Sequence, residues 1–210
     1  MKRCAIIGSV PVKNTGVLKE YCVGSFVVCA DGGLDTALET GIRPNLIVGD
    51  FDSAKSSPPP EVETVRLSVH KDDTDTMFAI KEAMRRGYHD FSLFGILGGE
   101  RFDHSFASLC ALQYIAAQND RGVIFGDNCK IFMMTGGKLR LTRMKGCGIS
   151  VFPFGSSCCT VSYRGLEYPL MKHTLYSHDP LGVSNSIAED DAQVILHSGT
   201  ALIIVLEPNF

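Results

Sequence analysis

The chain of 210 residues reads as an α/β fold, with an N-terminal parallel-sheet domain over residues 1–127 followed by an all-β domain over residues 128–210. Three observations carry this expectation. Up to about residue 127, short β-branched runs alternate with helical patterns, as parallel strands joined by crossover helices require. Past residue 128 helical periodicity stops, and short apolar runs are separated by turns such as Gly136-Gly137 and Gly155-Ser156-Ser157, which suits a compact β-sandwich or barrel. Several N-terminal runs also open directly into segments rich in glycine and aspartate.

The strand runs expected in the first domain are Cys4 to Gly8, Ser25 to Ala30, Leu46 to Val48, Thr64 to Val69, Phe91 to Gly95 and Val123 to Phe125. Between them, Thr74 to Arg86 is the clearest helix. Met77, Ile80 and Met84 recur at helical spacing, Asp73 or Thr74 offers a capping oxygen, and Gly87 follows the end. Ser105 to Ala117 is a second helix, apolar around most of its girth and so expected to be buried. In the second domain the strand runs are Lys130 to Thr135, Lys138 to Leu141, Gly148 to Phe154, Thr160 to Tyr163, Ala192 to Leu196 and Ala201 to Leu206. Tyr168 to Ile187, with Pro169, Pro180 and Gly182, reads as a long connection of the kind that carries binding residues.

In an open parallel sheet the carboxyl ends of the strands share one edge, and ligands bind there. The runs ending at Ala30, Val48, Gly95 and Phe125 open into Asp31-Gly32-Gly33, Gly49-Asp50-Phe51-Asp52-Ser53, Gly98-Gly99-Glu100-Arg101-Phe102-Asp103-His104 and Gly126-Asp127. Residues two apart in an extended segment point the same way, so Asp50 and Asp52 can share one hard cation such as Mg²⁺, with Phe51 on the opposite side. The same two side chains also suit a solvated turn that caps a following helix. Lys71-Asp72-Asp73-Thr74-Asp75-Thr76 adds an acidic cluster at a helix start, where the macrodipole favours carboxylates; Asp73 fits either a cap or a site there. The glycine pairs Gly32-Gly33 and Gly98-Gly99 let backbone N–H groups approach phosphate oxygens. Neither a Walker A sequence nor a G-x-G-x-x-G fingerprint occurs. His104 beside Asp103 is a candidate base, or a capping or core histidine.

A formal net charge of −3 supplies no electrostatic footprint for nucleic acid. No apolar run approaches the roughly 20 residues that span a bilayer, and Met1 to Gly8 reads as a first strand rather than a signal segment. A cytoplasmic protein without a membrane partner is expected. The 8 cysteines lack C-x-x-C spacing and lie mostly in apolar runs, so reduced core thiols are expected rather than zinc ligands or disulfides.

Five segments, in this order, resemble the thiamine pyrophosphokinase family: Cys29-Ala30-Asp31-Gly32-Gly33; Gly41 to Ser53; Lys71 to Thr76; Gly98-Gly99 with Arg101-Phe102-Asp103-His104; and Gly182-Val183-Ser184-Asn185. The resemblance implies a nucleotide-binding α/β domain followed by a thiamine-binding β-sandwich. It also implies a homodimer that holds thiamine between subunits, and transfer of the pyrophosphoryl group of ATP to the thiamine hydroxyl. By resemblance, Asp50, Asp52, Asp75 and Asp103 form the catalytic machinery, with Asp50, Asp52 and Asp75 as Mg²⁺ ligands. Asp31, Gly32, Gly33, Asp73, Arg101 and His104 then surround the nucleotide, and Ser184 and Asn185 the thiamine. The chain departs from the family pattern at Asp35, where Asn is common, and at Glu100, which looks inserted. Some relatives offer the thiamine a Trp; this chain has none, so stacking falls to a Tyr or Phe. Other expectations to test are a pyrophosphokinase or Mg²⁺-dependent phosphohydrolase with another acceptor, and a nucleotide- or thiamine-sensing module without catalysis.

Overall fold

The computed structural model describes residues 1–50, 56–68 and 73–208, in two compact units, Met1–Asp127 and Asn128–Phe210. Asp52, Lys71 and Asp72 lie outside the described residues.

In the first unit the strands are β1 (Arg3–Ile7), β2 (Phe26–Ala30), β3 (Leu46–Gly49), β4 (Glu63–Arg66), β5 (Asp90–Phe94) and β6 (Arg121–Phe125). They lie side by side in the order β6-β5-β1-β2-β3-β4, and every pairing among them is parallel. The helices are α1 (Thr15–Cys22), α2 (Gly33–Thr40), α3 (Asp75–Arg85) and α4 (Phe102–Ala117). Ile7, Val27, Cys29, Ile47 and Phe94 form part of the core beneath Leu18 of α1 and Leu34 of α2. Each of the Val, Ile, Leu and Phe side chains among them contributes about 1.5–3 kcal/mol through burial.

Two helices differ from expectation. Asn14 caps α1, its side chain accepting the Val17 N–H at 3.2 Å. The helix has only eight residues and buries only Leu18, too short a pattern to stand out next to Pro11 and Gly16. α4 starts at Phe102 rather than Ser105, because the Ser105 hydroxyl accepts the Gly98 N–H at 2.9 Å and so ties the glycine loop down instead of capping the helix. It is also buried on one side only: Ala111, Leu112 and Ile115 are inside, whereas Phe102 is 80% exposed.

Side chains set where α3 and its neighbours sit. Thr74 caps α3, accepting the Met77 N–H at 3.2 Å. At the far end of the helix, Arg86 forks between Glu82 and Glu63 of β4, tying that edge strand to the helix. α2 approaches β1 so closely that a Cβ on Gly33 would stand 2.0 Å from the Ile7 carbonyl oxygen.

The second unit is antiparallel. One set of neighbours is β12 (Asn185–Ser186), β9 (Gly148–Pro153), β14 (Ala201–Leu206) and β7 (Cys129–Met134). The other is β11 (His173–Tyr176), β10 (Cys158–Arg164), β13 (Asp191–Ser198) and β8 (Gly137–Thr142). Alternate residues of both sets, among them Val151, Ile203, Val161 and Val194, meet in one core. The expected long connection from Tyr168 to Ile187 contains β11, a 3-10 turn over Pro180–Gly182, and β12. Each of these pieces is too short to show a strand pattern in sequence.

All eight cysteines are free thiols, and Cys4, Cys29, Cys147 and Cys159 are buried. Burial pushes the Cys29 thiol up to about 12 and the Cys159 thiol up to about 11. No helix among the described residues is long and apolar enough to cross a membrane.

The approach of α2 to β1 predicts that Gly33→Ala lowers unfolding stability by about 3 kcal/mol, the upper range for overpacking. Gly16→Ala, whose Cβ would meet only the Asn14 side-chain oxygen at 3.6 Å, should stay within about 1 kcal/mol of the parent. Urea midpoints at constant m-value measure both.

Candidate functional site

Strand order reverses at β1, which pairs with β2 on one side and β5 on the other. A reversal of this kind opens a crevice at the carboxyl edge of a parallel sheet. The segments leaving β1 and β5 are held together there: Gly8 donates to the Phe94 carbonyl at 2.8 Å and Val10 to the Gly95 carbonyl at 2.9 Å. A small cleft opens above them. Ser9, Val10, Gly95 and Ile96 contribute from these segments, Thr74 and Thr76 from the start of α3, and His104, Ala107 and Ser108 from the first turns of α4.

The walls of the cleft are fixed by backbone and serine hydrogen bonds. Ser108, only 5% exposed, donates to the Ile96 carbonyl at 2.8 Å and to the His104 carbonyl at 3.0 Å. Together with the Ser105 contact to Gly98, this fastens the β5–α4 loop to the helix that follows it. The cleft is also suited to anions. The N-cap residue of α4, Arg101, makes no side-chain capping hydrogen bond, and the positive end of that helix dipole, whose first turn carries His104, faces the cleft wall.

The acidic residues lie along the same edge. Asp31 follows β2 in the left-handed region at φ 49°, and its N–H donates to the Val48 carbonyl at 2.8 Å. A Cβ on Gly49 would stand 3.1 Å from the Asp31 Cα, so glycine at the end of β3 lets the Asp31 turn close against the segment that carries Asp50. Asp50 and Asp75 are both half-buried. Among the described residues, no three His, Cys, Asp or Glu side chains converge closely enough to hold a metal.

Two expected site residues are engaged with neighbouring cations. Both Asp73 oxygens accept from Lys81 Nζ at 2.8 Å. Asp103 receives two hydrogen bonds from Arg101, at 3.2 and 2.5 Å, and the guanidinium holds its carboxyl below the usual carboxylate range. Both members of the second pair are about two-thirds exposed, where an ion pair contributes little stability. An incoming phosphate or cation can therefore replace either partner at small cost. His104 is exposed on the cleft wall, which sets aside the reading of it as a core histidine.

In the second unit, Ser184 also occupies the left-handed region, at φ 60°. Its N–H donates to Ser150 Oγ at 3.2 Å. The Asn185 amide accepts the Tyr168 N–H at 3.1 Å and donates to the Tyr168 carbonyl at 2.8 Å. Its polar atoms thus hold the backbone of an aromatic residue that is itself 67% exposed.

Several residues of this geometry were not foreseen from sequence. Ser9 and Val10 follow a strand with no aspartate or glycine pair to mark it, and Ser108 lies inside an apolar helix. Thr74 and Thr76 lay within a motif quoted for its carboxylates. Tyr168 opens the long connection expected to carry binding residues, but nothing in the sequence singled it out from the other aromatic residues.

A family model described as thiamin pyrophosphokinase, catalytic domain, matches residues 20–125. A second, described as thiamin pyrophosphokinase, vitamin B1 binding domain, matches residues 138–201. The chain is 26% identical over 180 residues to a thiamine pyrophosphokinase of Bacillus subtilis, covering 83% of this chain and 84% of that one. The fold is similar to that of a crystal structure of thiamine pyrophosphokinase from Bacillus subtilis, with a TM-score of 0.88 at 22% identity over 99% and 100% of the two chains. It is also similar to yeast thiamin pyrophosphokinase, with a TM-score of 0.75 at 15% identity over 98% and 86%.

The Arg101–Asp103 contact has a titration consequence. Removing the guanidinium removes a stabiliser of the charged carboxylate, so the proton is held to higher pH. In Arg101→Met, the Asp103 carboxyl carbon should titrate at higher pH than in the parent by ¹³C NMR. An unchanged titration would mean the pair does not form in solution.

Proposed function

The chain belongs to the thiamin pyrophosphokinase family, and from that membership we infer that it transfers the pyrophosphoryl group of ATP to the hydroxyl of thiamine, giving thiamine diphosphate and AMP. The observation that carries this reading is the pair of family matches, residues 20–125 in the first unit and 138–201 in the second. We propose that residues 1–127 form the ATP-binding catalytic domain and residues 128–210 a β-sandwich thiamine-binding domain. A cytoplasmic homodimer with thiamine held between subunits is part of the same proposal.

The reaction forms a bond from the thiamine hydroxyl oxygen to the β-phosphorus and breaks the bond from that phosphorus to the oxygen bridging to the α-phosphate. The hydroxyl proton passes to a carboxylate, for which Asp52 and Asp75 are the candidates. Alignment of the three groups and neutralisation of charge on the phosphate oxygens dominate such transfers. The crevice between β1 and β5 suits the polyphosphate, since the hydroxyls of Ser9, Thr74 and Thr76 and the first turn of α4 surround it. Arg101 changes partner from Asp103 to a phosphate oxygen and carries part of the developing charge. Asp31, Gly32, Gly33 and His104 complete the nucleotide side.

The donor set suits a hard cation, because Asp50, Asp52, Asp75 and Asp103 offer only carboxylate oxygens. We assign Mg²⁺ to Asp50, Asp52 and Asp75, where it would supply charge neutralisation on the phosphates. On the acceptor side, Ser184 presents its hydroxyl next to Asn185, and Asn185 holds Tyr168 with an exposed ring. Tyr168 is the aromatic face we assign to the thiamine ring, in place of a tryptophan.

³¹P NMR of the protein with ATP, Mg²⁺ and thiamine should show thiamine diphosphate and AMP appearing together, and neither without thiamine or with excess EDTA. Inorganic phosphate without thiamine would indicate a phosphohydrolase, turnover with another alcohol a different acceptor, and an unchanged spectrum a sensing module. Asp50→Asn and Asp75→Asn should each lose at least about 100-fold in kcat with the fold intact. Tyr168→Ala should raise the KM for thiamine about tenfold while kcat stays within about twofold, in line with loss of one stacking contact.

A further inference from the structure

Lys81 lies outside every motif that marks the site, yet it touches both helices that wall the cleft. It is seven residues from the α3 N-cap Thr74, and its ammonium reaches back past that cap to hold both Asp73 oxygens at 2.8 Å. The same ammonium sits 5.7 Å from the centroid of the Tyr114 ring on α4, within cation–π range. Asp73 immediately precedes Thr74, and Thr74 and Thr76 line one wall of the cleft while His104, Ala107 and Ser108 of α4 line another. A single side chain thus connects the entry into α3 to the body of α4.

We propose that Lys81 and Asp73 form a positioning pair for the nucleotide's phosphates. The pair fixes the direction in which the chain enters α3, and so where Thr74 and Thr76 stand relative to α4. It also neutralises a carboxylate beside the cleft that would otherwise repel a polyphosphate. Asp73 then acts through Lys81 and does not itself contact substrate. The Lys81 and Asp73 side chains are 42% and 33% exposed, so the pair is partly screened and its effect is graded.

The proposal rests on the pyrophosphokinase reading, and its test separates the two. Lys81→Met, Asp73→Asn and the exchanged double variant Asp73→Lys/Lys81→Asp are compared with the parent by steady-state kinetics, by calorimetric titration with Mg²⁺-ATP and by thermal unfolding. Lys81→Met should weaken ATP, as KM and as calorimetric Kd, by about threefold to fivefold. Its kcat and its KM for thiamine should stay within about twofold and its Tm within about 3 °C. Asp73→Asn should cost no more than Lys81→Met, and the exchanged variant should recover parental ATP affinity to within about twofold. Three results overturn the proposal: parental ATP affinity in Lys81→Met; loss of turnover in Asp73→Asn far beyond that in Lys81→Met, which would make Asp73 a direct ligand; or equal losses in Tm, thiamine KM and kcat, which would make the pair merely structural. A parent protein that binds Mg²⁺-ATP but forms no thiamine diphosphate defeats the functional reading alone, and calorimetry still decides the role of the pair.

Discussion

Parallel pairing about β1 is the constraint on which the first unit depends. Strands that run the same way must deliver their carboxyl ends to one edge. Because β2, β3 and β4 follow on one side of β1 and β5 and β6 on the other, the connections from β1 and β5 run onward to opposite sides of that boundary once their first hydrogen-bonded residues are passed. The crevice is therefore a product of chain order before any side chain is chosen. The side chains then make it specific: serines 105 and 108 fasten one wall, the Thr74 cap fixes another, and the glycine at the end of β3 lets the Asp31 turn close against its neighbour.

That geometry brings carboxylates to the edge we propose for a polyphosphate, where like charges repel. The protein answers with local cations on short tethers. Arg101 lies two residues from Asp103, and Lys81 lies eight residues from Asp73. The two pairs differ in exposure, and so in how readily a substrate displaces them. The Arg101–Asp103 pair is about two-thirds exposed and open to exchange; the Lys81–Asp73 pair is more enclosed and stays with the fold. Helix N-termini add positive potential without adding a side chain.

Much of this was legible in sequence because it rests on local chemistry. β-branched runs that end in glycine or aspartate marked β2, β3 and β5 and their site loops, and a threonine before an amphipathic stretch marked the α3 cap. The parts that were not legible depend on distance. Lys81 and Asp73 are eight residues apart, and only the folding of α3, along which a lysine side chain reaches back past the cap, brings them together. Ser108 looks like an ordinary small residue of an apolar helix until the Ile96 carbonyl is found beside it. Asn185 reads as a ligand residue in its motif, but its amide is occupied with the backbone of Tyr168, so any influence on an acceptor passes partly through that ring. β11 and β12 were invisible because strands of four and two residues carry almost no pattern of their own and exist through their partners.

The cysteines, which the chemistry of the site leaves unused, give the molecule a property of a different kind. Two fully enclosed thiols, Cys4 and Cys29, sit in the first unit, and Cys147 and Cys159 are buried in the second. A sulfur that is shielded and protonated is inert to alkylating reagents until its surroundings open. Each unit therefore contains its own chemical clock: the order in which these thiols are alkylated, read by mass, dates the opening of the two units separately, without a mutation.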